Sequence, residues 1–205
     1  VEEPCVTNLH DALTRDPAAG LAGPVLVEGT PERPVPSWGG RDIGRHLRTR
    51  LHQPPAHATP AAPFVVDYAP GTVLLFRAAL TGKIGILDED YFFSGEIADY
   101  AARASLAGYT SLLVPAAEAR HFGHDDHGQR DTIYRYYSLR NRFLFVNKYD
   151  REHAVRRRRA WTATGLMIAA FCLLTGRPAA ARATWLAVAD GRAGRFGNQH
   201  ERLRA

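Results

Sequence analysis

The 205-residue chain has only two cysteines, Cys5 and Cys172, far apart and at no metal-ligand or redox spacing. That sets aside a cysteine-built metal centre or redox motif, and a reducing compartment is the simple reading. No CxxC or HExxH occurs, so a zinc site of those kinds has no support. No signal peptide is visible, and the chain opens at Val1 without an initiator methionine. Its apolar run, residues 160–175, is shorter than the roughly 20 residues a membrane span needs. No basic stretch is interleaved with aromatics in the manner of RNA-binding motifs, so nucleic acid is not an expected partner.

What is present suffices for a folded core, since 45% of the residues are hydrophobic. The formal net charge is +5 and the pI about 9.5, but the charge is uneven. Arg151 and Arg156 to Arg159 concentrate basic charge near the C-terminus, while residues 85–100 are acidic. A basic cluster beside an apolar run points to anionic lipid rather than nucleic acid. Flanked by Arg156–Arg159 and Arg177, residues 160–175 suit an interfacial helix in peripheral contact with a membrane; a buried helix is the alternative. The expected location is cytoplasmic, at the inner face of the membrane.

The chain is organised around Asp67–His121. A short apolar strand (Val73, Leu74, Leu75, Phe76) precedes an acidic segment, Asp88-Glu89-Asp90-Tyr91-Phe92-Phe93-Ser94-Gly95-Glu96. A helix follows with Glu96, Asp99 and Arg103 on one face and Ile97, Tyr100, Ala101 and Ala104 on the apolar face. It stops at Ala107-Gly108-Tyr109, where Gly108 suits a left-handed C-terminal position. A second apolar strand, Ser111 to Val114, ends at Pro115, and His121 comes soon after. Carboxylates and a histidine are thereby delivered to strand ends, where ligands bind in open α/β sheets.

Along the rest of the chain, Leu9, Ala12 and Leu13 form a helical stripe closed by Asp16-Pro17, and residues 21–27 form a strand broken by a Gly-Pro kink. Residues 29–63, rich in Pro, Gly, Arg and His, hold no lasting period and are expected as a long loop in which Trp38 is a candidate stacking surface. A mobile connector with one partly buried tryptophan is the plainer alternative. His124, Asp125, Asp126 and His127, with His121, have the chemistry of a divalent-cation site, yet Phe122 stands where the metallo-β-lactamase motif needs its first histidine. A solvated loop is the favoured reading of 124–127. Residues 132–149 are expected as an amphipathic helix in which Arg140 is a fork donor to phosphate or a structural ion pair.

The order of these motifs resembles family 2 glycosyltransferases, especially the rhamnosyl- and galactofuranosyl-transferase-like members. The resemblance rests on Gly71-Thr72, Asp88-Glu89 with Phe92-Phe93, Glu96, Asp99, Arg103 with Gly108-Tyr109, Val114-Pro115 and His121. It continues in Tyr136-Tyr137 with Arg140-Asn141 and in Asp190-Gly191 with Gly194-Arg195 and Gly197, covering roughly residues 7–197. It implies an α/β, GT-A-type mixed sheet flanked by helices, with a helical C-terminal extension. The implied domains are residues 1–131, the acceptor-side part, and 132–205, the helical extension. No Asp-x-Asp suited to nucleotide binding occurs before residue 30. The expectation is therefore that the N-terminal nucleotide-binding half is lacking and that this chain alone is inactive.

The resemblance implies transfer of a sugar from a nucleotide-diphosphate sugar to a glycan or lipid-linked acceptor of a bacterial cell envelope polysaccharide. Displacement would be inverting and assisted by a divalent cation, Mg or Mn. The family usually has two adjacent acids, the second taken as base, but that position here is Ile97. Glu96, ionised at a helix start, inherits the role of base. Asp99, Arg103, Gly71, Thr72 and Trp38 would face the acceptor, Arg140 a phosphate, and His121 the metal. A non-catalytic scaffold or partner protein that has lost the base, and a metal-dependent hydrolase, are the competing functions.

Overall fold

A computed structural model describes the chain apart from residues 2, 57, 59–60, 123–126 and 205; for residues 3, 122 and 127–131 it describes the backbone alone. The chain is mixed α/β: a mixed sheet flanked by helices, then a helical C-terminal part. Its residues divide into two compact units. One comprises Val1–Asp42, His46–Leu87 and Ile97–His124; the other comprises Ile43–Arg45, Asp88–Glu96 and Asp125–Ala205.

The first unit is built on two long parallel strands, β1 (Ala19–Thr30) and β5 (Thr110–Phe122). Both faces of this pair are covered, which is why residues 19–26 read as a continuous run of small and apolar residues rather than an alternation. The pleat still sorts the side chains. Ala22, Leu26, Leu112 and Val114 meet Cys5, Leu9, Ala12 and Leu13 of α1 (Glu3–Arg15). Leu21 points the other way, onto Leu80 of α2 (Ala78–Ile84) and Tyr100 and Ala104 of α3 (Glu96–Leu106). Val25 and Leu113 join Phe64 and Val66 of β3 (Phe64–Val66). Burying each such aliphatic side chain contributes roughly 1.5–3 kcal/mol.

The proline-rich stretch and the segment after Pro115 are more ordered than their composition suggests. Thr30 pairs with Arg33 to close a hairpin between β1 and β2 (Arg33–Ser37) inside the proline-rich stretch. Pro34 and Pro36 are tolerated because β2 lies at the sheet's edge, where an absent N–H costs no ladder bond. The strand expected to end at Pro115 instead continues to Phe122. Pro24 pairs with Val114 and Val25 with Glu118, so Pro115, Ala116 and Ala117 bulge out of the ladder. Proline cannot donate there, and a bulge absorbs the gap.

The strand expected over Val73–Phe76 shrinks to β4 (Leu75–Phe76), which pairs with Leu21 and Ala22. β1 offers β4 only the part of its edge that β2 leaves free, since β2 takes Leu26–Thr30. α3 ends as the sequence predicts. Gly108 has φ +86°, its N–H donates to Ser105 O (3.0 Å), and Tyr109 N–H donates to Ala104 O (2.9 Å), a Schellman closure.

The second unit contains α4 (His127–Tyr149), α5 (Ala154–Leu174), α6 (Pro178–Ala193) and α7 (His200–Arg204). The expected amphipathic helix over 132–149 is instead buried all round between Leu139 and Val146. α5, α6, the acidic segment and residues 43–45 surround it. Trp161 Nε1 donates to Gly44 O (2.8 Å), and Arg142 donates to Ile43 O (2.8 Å) while stacking over Trp161 (4.4 Å to the ring centre). Close approach is set by small residues: a Cβ on Gly165 of α5 would lie 2.3 Å from Val188 of α6.

Candidate functional site

The acidic segment is a wound loop. Asp88 Oδ1 accepts from Asp90 N–H (2.9 Å), and the N–H groups of Tyr91 and Phe92 close turns onto Asp88 O (3.2 Å) and Glu89 O (3.0 Å). Three successive adjustments then aim it into α3. Phe92 and Ser94 take left-handed φ of 58° and 65°, and Gly95 takes φ +100°. For the two non-glycine residues this costs roughly 1–2 kcal/mol each, so something else must hold the shape.

Helix α4 holds it. The Asn141 amide nitrogen donates to Tyr91 O (2.9 Å), Phe93 O (2.9 Å) and Ser94 O (2.5 Å). Arg140 donates to Asp90 O (2.9 Å), Tyr91 O (3.0 Å) and Gly197 O (2.6 Å), and its Nε and Nη2 meet Asn141 Oδ1 at 2.8 and 2.6 Å. Gly197 N–H returns a bond to Asp90 O (2.7 Å). Lys148 pairs with Asp88 at 2.7 Å. Phe92 lies on Tyr137 (5.2 Å between ring centres).

The C-terminal motif supports the same construction. Asp190, fully buried, accepts from Tyr136 OH (2.8 Å) and pairs with Arg195 and Arg202, each at 3.2 Å. Burial and the Asp190 carboxylate push the Tyr136 hydroxyl well above the ordinary tyrosine value. Gly191 leaves room for Phe143, which a Cβ would meet at 2.5 Å.

Arg140, expected to face a phosphate, is therefore an internal clamp. It has no exposed surface, its donors are engaged by backbone carbonyls and Asn141, and burial pulls its guanidinium below the usual value. The sequence did not single out Asn141 as its partner. The signal was there: two polar residues, Arg140 and Asn141, inside a helix that is otherwise aromatic and aliphatic require buried acceptors.

Glu96 is the first residue of α3, at the positive end of the helix dipole. Its Oε2 is shielded from solvent and accepts no hydrogen bond among the described residues. Ile97, at the position where the family's base is expected, packs on Gly71; a Cβ there would sit 2.7 Å from Ile97 Cγ1. Gly71 and Thr72 are exposed in a turn.

Asp99 and Arg103, expected to face an acceptor, turn inward. Asp99 has no exposed surface and pairs with Arg103 Nε at 2.8 Å. Arg103 also donates to the carbonyls of Ile84 and Ile86 (2.8 Å for the latter), tying the end of α2 to α3. The polar face of α3 is thus partly a buried ion pair, which the i, i+4 spacing also allows. Trp38 is half-buried and stacks against Phe64, 6.4 Å between ring centres, so that side of its indole is taken.

His121 lies partly exposed with Nδ1 4.0 Å from Glu28 Oε1, while Glu28 Oε2 is held by Arg50. Among the described residues no three His, Cys, Asp or Glu side chains converge to hold a metal. His124, Asp125 and Asp126 lie outside the described residues, and of His127 only the backbone, which opens α4, is described.

No protein-family model matches the chain. Two curated proteins do, both N-acetylglucosaminyl-diphospho-decaprenol L-rhamnosyltransferases, from two strains of Mycobacterium tuberculosis. Each is 31% identical over 128 residues, a match covering 55% of this chain and 40% of the relative. The matched stretch thus spans well under half the length of these relatives, and over it the chain is similar to a rhamnosyltransferase, a family 2 type of glycosyltransferase.

Proposed function

We propose that the chain is the acceptor-side part of a GT-A-type glycosyltransferase, moving a sugar from a nucleotide-diphosphate sugar to a lipid-linked acceptor. The observation that carries the mechanism is Glu96: a carboxylate at a helix start, presented by a clamped loop, with one shielded oxygen that no donor among the described residues occupies. Such a group takes the acceptor hydroxyl's proton as its oxygen bonds to the anomeric carbon. The bond from that carbon to the diphosphate oxygen breaks, inverting the centre, and the diphosphate leaves with the electron pair. Ile97 cannot take a proton, and its packing on Gly71 gives it a structural use instead. Asp99 and Arg103 pair with each other and tie α3 to the end of α2. Support for the acceptor class comes from the relatives, whose names describe a diphospho-decaprenol-linked substrate.

The reading includes a divalent cation, Mg or Mn, with His121 as one ligand. The described residues do not complete such a site, so no step above runs through it.

The test is Glu96→Gln in the natural full-length protein, which keeps shape and removes basicity. Turnover should fall by roughly 10²–10⁴-fold with acceptor binding little changed. Asp99→Asn should instead lower thermal stability, because it weakens the buried pair with Arg103. No turnover in the parent or in Glu96→Gln, together with activity created by Ile97→Asp, would mean the natural protein is a non-catalytic relative.

A further inference from the structure

Helix α5 is apolar on the side away from its unit. Trp161, Gly165, Ala169 and Cys172 form its buried side. Opposite them Leu166, Met167, Phe171 and Leu174 are exposed, the last by 87%. Met167, Phe171 and Leu174 recur every three or four residues and so form one stripe, with Leu166 on its flank. No charged residue interrupts the chain from Ala160 to Gly176. Exposed Arg156 and Arg159 prolong the same stripe toward the helix start, and Arg177 follows its end.

Beside it, α6 presents Arg182, Trp185 and Arg192 outward, with Trp185 exposed by 56%. Leu166, Thr162, Trp185 and Arg192 line a shared groove between the two helices. From His153 to Ala189 the chain carries six arginines and no carboxylate. Contiguous apolar surface of this kind on a folded protein marks an interaction site.

We propose that the α5–α6 face is a docking surface for an anionic lipid bilayer, with α5 lying in the interface plane. The charge selects this occupant. A second copy of the chain would bring a second set of arginines against the first, whereas anionic headgroups neutralise them while acyl chains receive the leucines, Met167 and Phe171. Trp185 is the residue type that settles at headgroup depth. The helix lies on the membrane rather than through it: among the described residues no helix is long and apolar enough to cross one. The inference rests on this face alone and stands apart from the role given to Glu96.

The test is co-flotation of the chain with phosphatidylcholine vesicles and with vesicles in which a quarter of the lipid is phosphatidylglycerol. Binding should be stronger to the anionic vesicles, and Trp185 emission should shift to the blue on binding, a shift lost in Trp185→Phe. Arg156→Ser with Arg159→Ser should weaken anionic binding about fivefold per charge. Met167→Ser with Phe171→Ser, both exposed and so compatible with the fold, should abolish it while leaving the circular dichroism unchanged. Equal binding to both vesicles, or none, overturns the proposal. So does a concentration-dependent dimer in analytical ultracentrifugation that the Met167→Ser, Phe171→Ser variant dissolves, for then a second copy covers the face.

Discussion

Asn141→Leu keeps the side-chain volume and removes the amide that holds the acidic loop. The native nitrogen serves three carbonyls, at 2.9, 2.9 and 2.5 Å, with two N–H groups, and the oxygen accepts from Arg140 at 2.6 and 2.8 Å. Two neutral bonds at about 1 kcal/mol and one charge-assisted bond at about 1.5–3 kcal/mol sum to roughly 3–5 kcal/mol. Ser94, whose carbonyl loses its donor, relaxes out of left-handed backbone and offsets roughly 1–2 kcal/mol of that, while Phe92 stays held by its ring on Tyr137. A net loss of about 2–3 kcal/mol should lower the melting temperature by roughly 5–10 °C for a chain of this size. Calorimetry measures the shift. Hydrogen exchange locates it, because the N–H groups of Phe92 and Gly197, bonded to Glu89 O and Asp90 O, should lose protection before those of β1 and β5. Melting within about 1 °C of the parent, with exchange unchanged at Phe92 and Gly197, would refute the clamp; about 1 kcal/mol moves such a chain by 2–4 °C.

Two further outcomes are expected. The 205-residue chain alone should bind nucleotide sugars weakly or not at all with Mn²⁺ present, since it carries no Asp-x-Asp before residue 30; micromolar affinity by calorimetric titration would contradict this. Asp150 is held below the usual carboxylate value by its hydrogen bond from His153 (2.9 Å), with Arg157 (3.0 Å) adding to it. A lowered native value means this stabilisation is present above the unfolded value, about 4, and is lost as pH falls through the native one. The melting-temperature gap between the parent and Asp150→Asn should therefore be open at neutral pH and closed in strong acid; a gap independent of pH would show that the carboxylate's charge is not what stabilises the junction of α4 and α5.

Local periodicity and stop signals were enough to read α1, β1, the start of β5 and all of α3, including the left-handed Gly108, because neighbours within a few residues decide these features. The apolar face of α5 was legible for the same reason: an uncharged run bounded by arginines is a property of the chain. Which side of that run stays exposed is not, and only the packing of Gly165 on Val188 settles it. The β2 hairpin and the bulge at Pro115 to Ala117 escaped a local reading because prolines look like strand breakers until an edge or a partner strand accommodates them. For Arg140, Asn141 and Asp99 the sequence left a structural role and a ligand role equally open. A polar residue on a helix reads the same whether its partner is solvent, a ligand or a carbonyl some fifty residues away. The tertiary structure buries Arg140 and Asn141 against the loop from Asp90 to Ser94 and buries Asp99 against Arg103, turning two expected ligand contacts, Arg140 and Asp99, into scaffold.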